Sequence, residues 1–162
     1  MERLIAFSIW LGNTPVAQAV NAHGWYVPAI QVVHIIAIAA VVIAALLINL
    51  RAAGLVERER TLAVVTASWL PVLYTAIAVL ALTGFLLIAS EPGRALFRTV
   101  FWVKLILIAF AVAATWAQRA VGEARPRALH VALALASLAA WSLVIFAGRW
   151  IAYADGWSGA PS

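Results

Sequence analysis

Four stretches of this chain, roughly 27–50, 62–89, 99–121 and 128–153, are apolar over the length of about 20 residues that a bilayer-crossing helix needs. Each is apolar around most of its circumference, as a helix immersed in lipid is. Composition agrees. The apolar set makes up 66% of the chain and the charged set 10%, where a soluble domain runs near about 45–50% and 25%. A compact soluble domain of 162 residues could not hide that much apolar surface. The spans therefore predict an all-α membrane protein with the lipid bilayer as its first partner. They exclude a cytosolic enzyme, a nucleic-acid-binding module and a disordered tail. The net charge of +5 is then a matter of topology and anionic lipid rather than nucleic acid. The chain holds no cysteine, which removes disulfides, thiolate metal sites and a cysteine nucleophile.

The links between spans are short and hold most of the charge, so antiparallel neighbours in an up-down-up-down four-helix bundle are the expected topology. The transmembrane domain covers 25–155, with a tail over 156–162. Ahead of it, residues 1–24 contain an apolar run too short to cross, over 4–11. Then Asn13-Thr14-Pro15 reads as a break and a fresh start, with Thr14 as cap and Pro15 in the first turn. This segment is expected to be helical and to lie in the membrane interface. It lacks the net positive start and the small-residue cleavage site of a signal peptide. The loops after the first and third spans carry Arg51, Arg58, Arg60, Arg119, Arg125 and Arg127, against Arg3, Arg94 and Arg98 on the other side. The positive-inside rule then places both termini outside, in the periplasm of a bacterial inner membrane. Trp25, Tyr26, Trp69, Trp102, Trp116, Trp150, Tyr153 and Trp157 fall near span ends, the placement of an interfacial belt. Trp141 falls mid-span, where its indole N–H needs a partner.

Residues with chemistry to offer are few. His34 lies six residues beyond Pro28, roughly 9 Å below the outer boundary. Gln31 lies one turn before it on the same face. Thr83, Lys104 and Arg149 fall at a comparable depth in the other three spans, so antiparallel packing predicts one level shared by His34, Gln31, Thr83, Lys104 and Arg149. Two readings of that level stand side by side. In one it is a pocket for an anionic or carbonyl-bearing ligand: a quinone, a haem propionate or a lipid headgroup. In the other, Lys104 and Arg149 snorkel to the interface while His34 and Gln31 bond across helices. A bis-histidine haem is excluded by depth, because His34 and His130 differ by roughly 18 Å. A five-coordinate haem b or a chlorophyll-type pigment would need His34 alone as its metal ligand. His130 opens the fourth span at headgroup level beside Arg127, with a structural role expected. His23 is expected in solvent. No phosphate loop, zinc pair or nucleophile elbow is present. The spans hold no carboxylate, which argues against a proton-coupled carrier.

Several segments carry a likeness in order along the chain: Ile9-Trp10-Leu11, Pro15-Val16-Ala17-Gln18, Trp25-Tyr26-Val27-Pro28, Gln31-Val32-Val33-His34, Asn49-Leu50-Arg51, Thr83-Gly84, Phe101-Trp102-Val103-Lys104 and Gly148-Arg149-Trp150. With these, the chain resembles a family of small four-helix bacterial inner-membrane proteins classed as a domain of unknown function. More distantly, the histidine in the first span looks like CopD-type and two-haem cytochrome b membrane proteins. The resemblance implies fold and location rather than activity. The chain departs from the family at Asn49, where an acid is usual, and at Thr115-Trp116-Ala117-Gln118, where a histidine near the end of the third span is usual. Both departures weaken a haem role.

Two functions follow as expectations. The first is a non-catalytic subunit or binding module of a larger membrane complex, partnered by other membrane subunits or by a second copy. The second is a small membrane redox protein holding haem b, quinone or a pigment near His34.

Overall fold

Thr14 ends one helix and begins the next. Its hydroxyl donates to Leu11 O at 2.7 Å and accepts from Ala17 N at 3.3 Å. Pro15 follows, with φ already set for the first turn. The result is a pair of short helices, α1 (Glu2–Gly12) and α2 (Pro15–Asn21), where the sequence predicts them. The computed structural model describes residues 2–121 and 126–153, without the side chains of 119, 149 and 151–153. The 156–162 tail, Arg125, Trp157 and the side chains of Arg119 and Tyr153 thus lie outside the described residues.

Four long helices follow: α3 (Tyr26–Ala52), α4 (Leu62–Ser90), α6 (Thr99–Val121) and α7 (Arg127–Tyr153). All four are long and apolar enough to cross a membrane, and no strand occurs among the described residues. The chain is an all-α, multi-pass membrane protein built as an up-down-up-down four-helix bundle. Several starts and stops have a local cause. At the end of α3, Gly54 takes φ +70°, Gly54 N donates to Arg51 O at 2.9 Å and Leu55 N to Leu50 O at 2.9 Å. This is a glycine-terminated Schellman cap, unread in the sequence. At the start of α4, the Thr61 hydroxyl accepts from Val64 N at 3.3 Å. Between α4 and α6 the expected plain loop contains one more turn, α5 (Pro92–Leu96). The Trp102 indole donates to Leu96 O at 3.0 Å, which ties the start of α6 to α5.

In the bundle α3 packs along α4, α6 along α7, and α3 against α7, while α4 and α6 touch lightly. Val41, Ala44 and Ala45 meet Leu70, Leu73 and Ala76 across the α3–α4 seam, with Ala111, Ala140, Trp141 and Val144 closing the core. Alanine is frequent there because, in lipid, helices associate through close backbone approach rather than through burial of apolar area. Trp69 is part of this packing, so it leaves the predicted belt: its ring is held against the core. Trp141 is only 4% exposed and its N–H has no partner, contrary to expectation. Alanine and valine neighbours have no side-chain acceptor to offer it. Trp25, Trp102, Trp116 and Trp150 remain exposed.

The two ends of the bundle differ. One carries α1, α2 and α5, and is called the α5 end below. Leu11 and Ala17 pack there against Ala89, and Asn21 Nδ2 donates to Ser90 O at 3.1 Å. The other carries the α3–α4 and α6–α7 links and is called the arginine end.

Candidate functional site

Near the α5 end, four helices each contribute one element of a polar group inside an apolar bundle. Counting along each helix puts His34, Thr83, Lys104 and Gly148 within ~12 Å of that end. On α3, the half-buried His34 sets Nδ1 2.7 Å from the Thr83 hydroxyl of α4. The Thr83 hydroxyl also lies 2.7 Å from Val79 O. A carbonyl cannot donate, so the single hydroxyl proton goes to Val79 and Thr83 accepts from His34. Nδ1 therefore carries the imidazole proton, and Nε2 presents a lone pair.

Gly84 makes room for this pairing. A Cβ there would sit 3.5 Å from His34 Cε1, already in van der Waals contact with the ring, so a side chain extending beyond Cβ towards it would press on the imidazole. Lys104 comes from α6, half-buried. The ammonium reaches α7 at a second glycine: a Cβ on Gly148 would lie 3.4 Å from Nζ and 3.7 Å from Cε. Among the described residues no carboxylate pairs with Lys104. A cation inside a bundle without a counter-charge is expensive. With His34 Nε2 at the same level of the bundle, the arrangement offers one donor cation and one acceptor.

The structure brings together three of the five residues expected at this level: His34, Thr83 and Lys104. Gln31, one turn nearer the end of α3, is exposed. Arg149 follows Gly148 on α7, and its side chain lies outside the described residues. His23 stacks edge-on against Tyr26, with ring centroids 4.9 Å apart.

A second polar group lies towards the arginine end, and the sequence reading missed it. Asn49 Nδ2 donates to Ala45 O at 2.7 Å and to Ser137 Oγ at 2.9 Å. Thr115 gives its proton to Ala111 O at 2.9 Å, so Ser137 donates to Thr115 across 2.9 Å. Gln118 Nε2 donates to His130 O at 2.8 Å and, more weakly, to Asn49 Oδ1 at 3.5 Å. His130 Nδ1 donates to Gln118 Oε1 at 3.1 Å. His130 stands in the first turn of α7, as expected, and its bonds are structural. It is 5% exposed and belongs to a buried chain of bonds that joins α3, α6 and α7. The available signal was the recurrence of Asn, Gln, Thr and Ser within ten residues of the arginine end of α3, α6 and α7.

The two groups differ in kind. In the buried chain Asn49, Thr115, Gln118, Ser137 and His130 all have partners, which is the condition for interhelical glue. In the His34 group, among the described residues, the second imidazole nitrogen and the Lys104 ammonium have no hydrogen-bond partner. No metal-binding group of three or more His, Cys, Asp or Glu occurs among the described residues. Comparison with protein-family models, with curated proteins and with solved structures finds no match to this chain.

Proposed function

We propose that this protein is a non-catalytic binding module of a bacterial inner membrane, a subunit that holds the oxygen-bearing headgroup of a lipid-phase ligand at the α5 end of its bundle. The observation that carries this reading is the pairing of an unneutralised Lys104 ammonium with a His34 ring that Thr83 fixes at Nδ1. Lys104 suits an anionic or carbonyl oxygen. His34 Nε2 suits a hydroxyl hydrogen. A quinone and its quinol present those two groups on one ring, and a lipid headgroup presents the first. Both termini lie outside in this reading, with the site in the outer leaflet. The apolar surfaces left exposed, including Ile35, Ile36, Ile106 and Phe146, face lipid or neighbouring subunits.

A second reading rests on the ring orientation. A histidine that donates from Nδ1 and offers Nε2 is arranged as metal-ligating histidines are, so a five-coordinate haem or a pigment fits His34 by this criterion. The two readings separate on one preparation. The purified protein should carry a lipid-phase compound extractable by organic solvent, without a redox-sensitive Soret band. His34→Leu and Lys104→Leu should each lose that compound roughly 10- to 100-fold, the weight of a charge-assisted hydrogen bond or two. A Soret band that vanishes in His34→Leu would move the assignment to haem. Equal retention in both variants and wild type would remove the site.

A further inference from the structure

The arginine end holds a cavity of about 370 Å³, lined among others by Arg51, Gly54, Arg58, Leu62, Arg127 and His130. We propose that it binds a phosphate group, supplied by an anionic phospholipid of the surrounding leaflet. This is independent of the His34 site, which lies at the opposite end of the bundle.

The three arginines come from three different pieces of chain: the last turn of α3, the α3–α4 link and the first residue of α7. Each is held in place by a backbone carbonyl rather than a carboxylate. Arg51 Nε donates to Arg60 O at 2.6 Å, Arg58 Nε to Gly54 O at 2.5 Å, and Arg127 Nη2 to Ala53 O at 3.2 Å. A carbonyl orients a guanidinium without neutralising it. The nearby Glu57 is engaged elsewhere, 3.1 Å from Arg60, and no described acid lines the cavity. Among the described residues no carboxylate pairs with these three guanidinium cations, which meet in one hollow. Planar forks of that kind match the paired oxygens of a phosphate.

The backbone adds to the same field. Leu62 and Arg127, both on the cavity wall, are the first residues of α4 and α7, two long helices whose positive ends favour an anion. Gly54 is needed as glycine because its φ of +70° belongs to the left-handed region; it lies against the Arg127 guanidinium, where a Cβ would be in van der Waals contact at 3.6 Å. The Schellman turn that ends α3 thus brings Arg58 and Arg127 to the same carbonyl-rich corner.

Position decides the source. α3 and α7 are each 27 residues long, or roughly 40 Å, which carries them from one headgroup layer to the other. The cavity lies where these helices end, level with the phosphodiesters of one leaflet. Basic pockets between helices at that depth take anionic headgroups, and the volume fits a headgroup rather than a whole lipid.

The test uses the full-length protein in nanodiscs and native mass spectrometry. With equal phosphatidylcholine and phosphatidylglycerol supplied, the wild type should retain phosphatidylglycerol at least ~10-fold over phosphatidylcholine. Arg58→Gln and Arg127→Gln should each lower that preference about 10-fold. Arg94→Gln, which removes the same charge at the opposite end, should leave it unchanged. Because Arg127 also holds Ala53, circular dichroism checks each fold, and Arg58→Lys gives a milder variant expected to fall between wild type and Arg58→Gln. Inorganic phosphate is the second arm. Failure of millimolar phosphate to displace the lipid supports a lipid headgroup. Displacement supports the same phosphate site with a soluble occupant. Equal retention of the two lipids by wild type with no stabilisation by phosphate would overturn the proposal. So would a loss in Arg94→Gln that matches the loss in Arg58→Gln.

Discussion

At the scale of single residues, the molecule turns on where one proton sits. Thr83 gives its hydroxyl proton to Val79 O across 2.7 Å, and this alone sets the tautomer of His34. Thr83→Val keeps the shape and removes the acceptor. Nitrogen NMR of labelled histidine should show a fixed Nδ1–H tautomer for His34 in the wild type and a mixture in Thr83→Val. The stability cost should be about 1 kcal/mol, the usual worth of a side-chain bond between membrane helices. A wild type that already shows mixed tautomers would contradict the geometry. The depth of His34, Thr83 and Lys104 was legible in the sequence, because counting residues along a helix gives depth directly. The exclusion of Gln31 was not. One turn of helix separates it from His34, and which of two stacked residues meets α4 depends on how α3 and α4 are rotated. The roles of Gly84 and Gly148 were visible only as small residues suited to close packing. That each leaves room for a particular polar side chain needed the packed structure.

At the scale of helices, the sequence carried its boundaries well and its contacts poorly. Thr14, Pro15 and Pro92 act within a few residues of themselves, so their effects can be read locally. The Gly54 turn is equally local and was overlooked. α5 is a single turn, too short for periodicity to signal it. The buried chain from Asn49 through Ser137 and Thr115 to Gln118 and His130 joins three helices 12 to 88 residues apart, and no local pattern encodes such a meeting. Its weight can be measured. Ser137→Ala removes the acceptor for Asn49 and the donor to Thr115 with almost no change in volume. It should destabilise the bundle by about 0.6–1.7 kcal/mol, read as a shift in unfolding in mixed micelles. Asn49→Ala combined with Ser137→Ala should cost less than the sum of the two single changes, because the pair shares one bond. Strict additivity would mean that Asn49 and Ser137 do not interact.

At the scale of the whole molecule, four apolar helices and short links leave little freedom. The arginine end and the α5 end must lie on opposite sides of a membrane if all four helices cross it. Single cysteines at Glu59 and Gly93 test this, since both positions are exposed and a Cβ on Gly93 meets nothing within 4 Å. A membrane-impermeant thiol reagent should reach Gly93→Cys from outside intact cells and Glu59→Cys only after the membrane is opened. Labelling of both from one side would end the four-span arrangement. The same asymmetry separates two chemistries: the His34 acceptor with the Lys104 cation towards one end, a cluster of guanidiniums at the other.

The central claim is that His34 and Lys104 receive one ligand headgroup. The most direct measurement is a binding titration of a short-chain benzoquinone against the purified protein, followed by tryptophan quenching, for wild type, Lys104→Leu and Gln31→Leu. Wild type and Gln31→Leu should bind alike, and Lys104→Leu should bind roughly 10- to 100-fold more weakly, as loss of a charged donor requires. Indistinguishable isotherms for all three proteins would contradict the account.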